Sequence, residues 1–365
     1  GGPGTGKTVL AINLLVKLIN EGLVTYYATK NSAPRQVYEK KLKGKYTNKY
    51  IKNLFKGSGT FIEIKQNELD VVLVDEAHRL MKKSGIFKNQ GENQIKEIIN
   101  AAKVSVFFID EKQRVTIDDI GSIEEIKKYA EYYNAKVKQL KLTSQFRCNG
   151  SNGYLDWIDN VLDMETGTGF DGFEFDYDIE IKDSPSEIFE LIKEKNKINN
   201  KSRMLAGYCW DWKSKKDLSV NDIEIGDFKK QWNFSSTGTW AIDENSVDQI
   251  GCIHTSQGLE FDYIGLIIGN DLRYENGRIV TDFTKRAKTD NSLKGIKKLY
   301  KERPKEALEL ADEIIKNTYK TLMTRGMKGC YIYCCDESLS KYLKEKITKI
   351  IENIQSKDIQ VPIFI

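Results

Sequence analysis

The chain opens GGPGTGKT (Gly1–Thr8). The octet has the spacing G-x-x-x-x-G-K-[ST]. In that pattern the glycines let successive backbone N–H groups turn inward on phosphate oxygens. A helix starting directly after it adds its positive end to the same concavity. Thr8 to Asn20 supply that helix: Leu10, Ile12, Leu14, Leu15, Leu18 and Ile19 recur at helical spacing, and Gly22 offers the stop. Gly2, Pro3, Gly4, Thr5 and Gly6 then form the cradle. Lys7 reaches the β- and γ-phosphates of ATP, and the Thr8 hydroxyl binds Mg²⁺. Such a loop is a strand-to-helix turn, yet no strand precedes it here. The expectation is a fragment of a longer protein, with the central strand and any base-reading residues upstream.

Working outward, the first part alternates helical and strand patterns. Leu23–Thr29 reads as a strand, Lys40–Lys56 as a basic helix, and Ile123–Tyr133 as a polar helix. DVVLVDE (70–76) and VSVFFID (104–110) are short apolar runs ending in an acid, which suits buried parallel strands. VKQLKLT (137–143) is a further strand candidate. After a less regular stretch a helix is predicted from Pro185 to Lys197. RMLAGYCW, VDQIGCIHT, YIGLIIG and GCYIYCC then form a second set of strands. The reading is α/β: two tandem units with parallel sheets, 1–150 and 151–365. Ligands in such sheets lie outside the carboxyl ends of the strands, where the acids fall.

Composition narrows the classes. The 365 residues carry a net charge of +4, so a nucleic-acid surface would have to be a local patch. No apolar run approaches the ~18 residues of a membrane span. Six cysteines form no C-x-x-C pair and only two histidines are present, which favours reduced core thiols in a cytoplasmic protein over zinc or disulfides.

Asp75 ends its strand where it can hold Mg²⁺, and Glu76 beside it can polarise an attacking water. That pair points to hydrolysis and away from small-molecule kinases, whose nucleophile is the substrate. Gln113, three residues after Asp110, can sense the γ-phosphate or hold the water. Arg147 in LTSQFRCN and Arg325 in LMTRGMKG can clamp a γ-phosphate. In IHTSQGLEFDYIGLIIG (253–269), His254, Thr255, Ser256 and Gln257 are compact hydrogen-bonding groups suited to phosphates. Gly258 permits close backbone approach, and Glu260 can accept from a ribose hydroxyl.

In this order the loop, VDEAH, DEKQ, SQFR, HTSQGLEFD and LMTRGMKG resemble the motif series of superfamily 1 helicases. The stretches GCIHTSQGLEFDYIGLIIGNDLRY and NTYKTLMTRGMKGCYIY are closer still to the Schlafen group 3-type DNA/RNA helicase-like domain. The resemblance implies two RecA-like domains that bind ATP–Mg²⁺ in the cleft between them, with single-stranded nucleic acid across their top. It implies nucleotide roles for Lys7, Thr8, Asp75, Glu76, Gln113, Arg147, Arg325, Gly258 and Glu260. It also implies nucleic-acid contacts for Asn31 and Ser32, and for His254, Thr255 and Ser256.

Two stretches stand outside these motifs. Trp210–Trp240 holds four of the five tryptophans, which either stack on bases or pack a core. Thr284–Lys305 carries nine basic and two acidic residues, either a phosphate-tracking surface or a solvated face. The leading expectation is an ATPase driven by single-stranded DNA or RNA. The alternative is a nucleotide-gated switch that controls an upstream effector without unwinding. A phosphotransferase on a small acceptor would leave the second unit unexplained.

Overall fold

The computed structural model describes residues 2, 4–44, 47–85, 87–142, 152–164, 177–233 and 239–358. They fall into two compact units. Unit 1 takes Gly1–Phe146 with the short segments Ser236–Trp240 and Gln257–Leu259; unit 2 takes the rest.

Unit 1 carries strands β1 (Thr25–Thr29), β2 (Phe55–Gly57), β3 (Leu69–Val74) and β4 (Ala102–Phe107). They form one parallel sheet in the order β2-β1-β3-β4. Its helices are α1 (Lys7–Asn20), α2 (Ser32–Leu42), α3 (Asn48–Leu54), α4 (Gln94–Ala101) and α5 (Ile123–Tyr132). Successive side chains of a strand point to opposite faces. Tyr27, Val71 and Leu73 accordingly join Ala11 and Leu15 of α1 in one core, while Ala28, Val72 and Val74 join Ile95, Ile98 and Ala101 of α4 in another. Both faces of β3 are therefore covered, which is why its sequence is apolar without alternation. Each fully buried Leu or Ile contributes roughly 2 kcal/mol. This clamp holds the carboxyl end of β3 in place.

Two expectations change here. Lys40–Lys56 is not one helix: α2 stops at Leu42, Thr47 caps α3 by accepting from the Tyr50 N–H at 3.2 Å, and Phe55–Gly57 joins the sheet. Residues 137–142 form no strand, and 143 lies outside the described residues. Val137 and Leu140 stand exposed, so that alternation of lysine with apolar residues buries no face.

Unit 2 carries α6 (Asn152–Val161), β5 (Asp178–Ile181), α7 (Pro185–Asn199) and β6 (Ser202–Ala206), then the hairpin β7 (Ile223–Ile225) and β8 (Phe228–Lys230). Next come β9 (Ile250–Gly251), the single turn α8 (Ile253–Ser256) and β10 (Phe261–Ile268). A second hairpin, β11 (Leu272–Glu275) and β12 (Arg278–Thr281), precedes α9 (Ile296–Glu302), α10 (Pro304–Met323), β13 (Gly326–Cys334) and α11 (Glu337–Asp358). The five-stranded sheet runs β5-β13-β10-β6-β9, all parallel.

The tryptophans pack. Trp232 and Trp240 are buried, Trp232 stacks on Tyr208 at 5.1 Å, and Trp210 and Trp212 lie against the unit 2 core. The basic stretch divides. Arg286 is buried between Asp271 (2.9 Å) and Asp290 (2.8 Å), whereas Lys285, Lys288, Lys294, Lys297, Lys298 and Lys301 face solvent. Cys209, Cys252, Cys330, Cys334 and Cys335 are free thiols, and Cys148 lies outside the described residues. Burial pushes the Cys252 and Cys334 thiols up, and Cys335 to about 12, which keeps them protonated. Among the described residues, no helix is long and apolar enough to cross a membrane.

Candidate nucleotide site

The phosphate loop turns on Gly4 (φ 73°) and Gly6 (φ 78°), left-handed positions that a side chain would strain. The Thr5 hydroxyl donates to the Gly2 carbonyl at 3.0 Å. Lys7, the first residue of α1, folds back into the loop: its Nζ donates to the Gly2 carbonyl at 2.6 Å and lies 3.9 Å from Asp110 Oδ2. The amine is thus held inside the turn whose backbone it would share with a phosphate. Pro3 lies outside the described residues.

The Thr8 hydroxyl donates to Asp75 Oδ2 at 2.7 Å, joining α1 to the end of β3. Asp75 also accepts from the Tyr27 hydroxyl (2.6 Å) and from the Glu76 N–H (3.0 Å). Burial and the neighbouring Glu76 raise the Asp75 carboxyl, and the donors from Tyr27 and Thr8 work against them. Tyr27 is pushed well up by burial and then by Asp75, so its hydroxyl stays a donor. A hydroxyl and a carboxylate at this separation are hard oxygen donors of the kind Mg²⁺ takes, with water filling the other positions. The residues present therefore fit the ion.

Glu76 follows in a left-handed conformation (φ 53°, ψ 43°) that a non-glycine residue rarely adopts. The chain is held there by Ala77, whose N–H donates to the Phe108 carbonyl at 2.9 Å. On the other side Gly121 approaches so closely that a β-carbon would stand 1.9 Å from the Ala77 carbonyl oxygen. Gln113, just past β4, is buried and donates through Nε2 to Asp110 Oδ2 at 2.7 Å.

The segment Gln257–Leu259 belongs to unit 1, and its contacts explain its polarity. Gln257 Nε2 donates to the Gln113 carbonyl at 3.2 Å, and Asn31 Nδ2 donates to the Gln257 carbonyl at 2.7 Å. Asn31 Oδ1 meanwhile caps α2 by accepting from the Ala33 N–H. Both ends of the Asn31 amide are engaged within the unit, while Ser32 is exposed. At Gly258 (φ 80°) a β-carbon would stand 2.7 Å from the Pro34 ring, so only glycine fits.

One buried cluster beside this site carries no motif. Asp119 faces Arg79 Nε at 2.8 Å and Lys30 Nζ at 3.4 Å, and accepts from the N–H groups of Val115 and Thr116. Burial pushes its carboxyl up, but Arg79 and Lys30 outweigh that and hold it at about 2. Burial and Arg79 bring Lys30 down to about 8 against the pull of Asp119. Asp119→Asn leaves Arg79 and Lys30 buried without their counter-charge, an expected loss of about 3 kcal/mol in denaturant unfolding. The sign with pH follows. A carboxyl at about 2, against its ordinary 3.8, gives stability that is complete above 3.8 and lost as pH falls towards 2. Lys30 costs stability while protonated, and that cost fades as pH rises from 8 towards 10.5. A urea-midpoint series across both windows checks both signs.

In unit 2, Arg325 is 1% exposed and its Nε donates to the Thr321 carbonyl at 3.0 Å. Glu260 is exposed just before β10. His254, Thr255 and Ser256 form α8, a helical turn rather than the expected strand-to-strand link. The hydroxyls of Thr255 and Ser256 each donate to the Cys252 carbonyl at 3.0 Å, and His254 Nε2 lies 3.5 Å from Ser292 Oγ. Arg147 lies outside the described residues.

Unit 1 thus brings Lys7, Thr8, Asp75, Glu76 and Gln113 to the loop end of one parallel sheet. Residues 1–336 match the family model described as Schlafen group 3, DNA/RNA helicase domain. The chain belongs to this family. It is a helicase-type NTPase domain by that membership, and its two parallel α/β units, the first opening on a phosphate loop, are the RecA-like arrangement. The chain is similar to Uncharacterized protein YPL245W of Saccharomyces cerevisiae, 29% identical over 298 residues, covering 75% of this chain and 64% of that protein. It therefore spans under two thirds of that relative's length. Among solved structures it is similar to Arterivirus nonstructural protein 10 (helicase), at 13% identity and TM-score 0.37, covering 93% of this chain and 60% of that one. It is also similar to S. cerevisiae Dbp5 bound to RNA and ADP BeF3, at 12% identity and TM-score 0.35, covering 97% and 82%. At such TM-scores neither likeness assigns a residue its role.

Proposed function

We propose that the chain is a nucleic-acid-dependent ATPase of superfamily 1 helicase type, which hydrolyses ATP to move on or remodel single-stranded DNA or RNA. The observation that carries this is the 2.7 Å contact between Thr8 of the loop and Asp75 at the end of β3, with Lys7 and Glu76 beside them. A phosphate cradle, a Mg²⁺-holding oxygen pair and an adjacent carboxylate are what triphosphate hydrolysis requires.

When bound, Mg²⁺ supplies a Lewis acid that neutralises charge on the β- and γ-phosphate oxygens. The chain's own residues do the rest. Lys7 exchanges the Gly2 carbonyl for phosphate oxygens and stays charged. Thr8 and Asp75 hold the metal. Glu76 takes the proton of the attacking water, and Gln113 orients that water or reports the γ-phosphate. Arg147 and Arg325 add positive charge to the γ-phosphate, and Gly258 and Glu260 serve the nucleotide, as the family resemblance implies. Asn31, Ser32 and the 254–256 turn are the proposed nucleic-acid contacts, in a cytoplasmic setting.

The test is ATP turnover with and without single-stranded DNA and RNA at two salt concentrations, with Lys7→Ala as the blank. Salt-sensitive stimulation by one polymer is the expected result and selects the substrate. Turnover indifferent to both polymers overturns the nucleic-acid part. Stimulated turnover without displacement of a blocked strand favours the nucleotide-gated switch.

A further inference from the structure

His78 is wholly buried and makes two directed contacts. The Asp110 backbone N–H points at Nδ1 (3.4 Å), so Nδ1 accepts and the ring proton sits on Nε2. Nε2 lies 3.0 Å from Glu76 Oε2, so that proton is donated to the Glu76 carboxylate. The Asp110 side chain faces Lys7 and accepts from Gln113. One residue at the end of β4 thus meets the loop lysine through its side chain and the histidine through its backbone.

We infer that His78 is a positioning residue that holds the Glu76 carboxylate aimed for proton abstraction. Glu76 stands in a left-handed kink, outside the regular strand whose geometry would direct its side chain. Its flexible stem would otherwise sample several rotamers, and the entropy of ordering it would be lost at each turnover. The hydrogen bond from His78 settles that orientation when the protein folds. The histidine is itself fixed by the Asp110 amide and by a main chain tight against Gly121, where a β-carbon would stand 2.6 Å from the His78 Cα. A base oriented by a second group, itself oriented by a third, is the logic of a catalytic triad. Here it is built on a carboxylate.

The inference rests on the reading of Glu76 as the group that takes the water's proton, so the experiment separates the two. Steady-state ATP turnover is measured for wild type, Glu76→Gln, His78→Ala and His78→Gln, together with the affinity of a non-hydrolysable ATP analogue. His78→Ala is expected to lower kcat roughly tenfold to a hundredfold, the range for partners that orient a reacting group. KM and analogue affinity should stay near wild type. Glutamine can donate to Glu76 through its amide nitrogen and accept from Asp110 through its oxygen, so His78→Gln should recover most of the rate. Wild-type kcat in His78→Ala overturns the inference. So does a Gln variant no better than Ala, or a loss of analogue affinity with kcat, because either means His78 only packs. Wild-type turnover in Glu76→Gln overturns the reading of Glu76 itself.

Discussion

Lys7→Ala is expected to reduce ATP turnover by about 10³-fold and to weaken nucleotide binding with it. The magnitude follows from what the amine does. In the protein it sits 2.6 Å from the Gly2 carbonyl with Asp110 at 3.9 Å, so it is held in the loop before any nucleotide arrives. A preorganised charge costs no reorganisation when negative charge shifts on the phosphates. Removing one such donor typically costs ~10²–10³-fold, and removing a full positive charge at a transferring phosphoryl group as much as ~10³–10⁵-fold. The folded state should tolerate the change, since alanine propagates a helix well and Thr8 still ties α1 to Asp75. Turnover and nucleotide affinity, each compared with an unchanged thermal midpoint, check this. A variant that retains turnover would remove the loop from the chemistry.

The same residues show what was legible in the sequence. The loop spacing, the acid pair after VVLV and the parallel α/β class follow from local chemistry: glycine conformations, helix periodicity and apolar runs buried on both faces. The misreadings were also local. Lys40–Lys56 has no strong breaker except Gly44, so the two helices and short strand inside it were hidden. VKQLKLT has strand-like alternation, but a pattern needs a neighbouring surface to bury it, and Leu140 is 77% exposed. The partners of the site residues were not legible at all, because they are set by tertiary approach. Tyr27 reaches Asp75 across 48 residues, Asn31 reaches Gln257 across 226, and Asp119 gathers Arg79 and Lys30 around a charge that no motif marks. His78 stands inside VDEAH, yet the spacing alone does not say which atom its ring faces. The kink at Glu76 and the closeness of Gly121 decide that.

Glu76→Gln is expected to lower kcat by about 10²–10⁴-fold, the usual contribution of a positioned general base, while nucleotide affinity stays near wild type. The substitution keeps shape, burial and the acceptor for His78, since the glutamine oxygen can take the Nε2 proton in place of Oε2. It removes only the negative charge and the ability to accept a proton from water. Asp75 gains rather than loses from the change. Glu76 is among the causes that raise its carboxyl, so a neutral neighbour leaves Asp75 more readily ionised and no worse as a metal holder. A fall in kcat with unchanged KM is therefore the signature of a lost base, and a matching fall in affinity would indicate a lost fold or metal site. Steady-state turnover paired with analogue binding distinguishes them. If the Gln variant still turns over at the wild-type rate, the water is activated elsewhere and the carboxylate serves only the left-handed turn in which it sits.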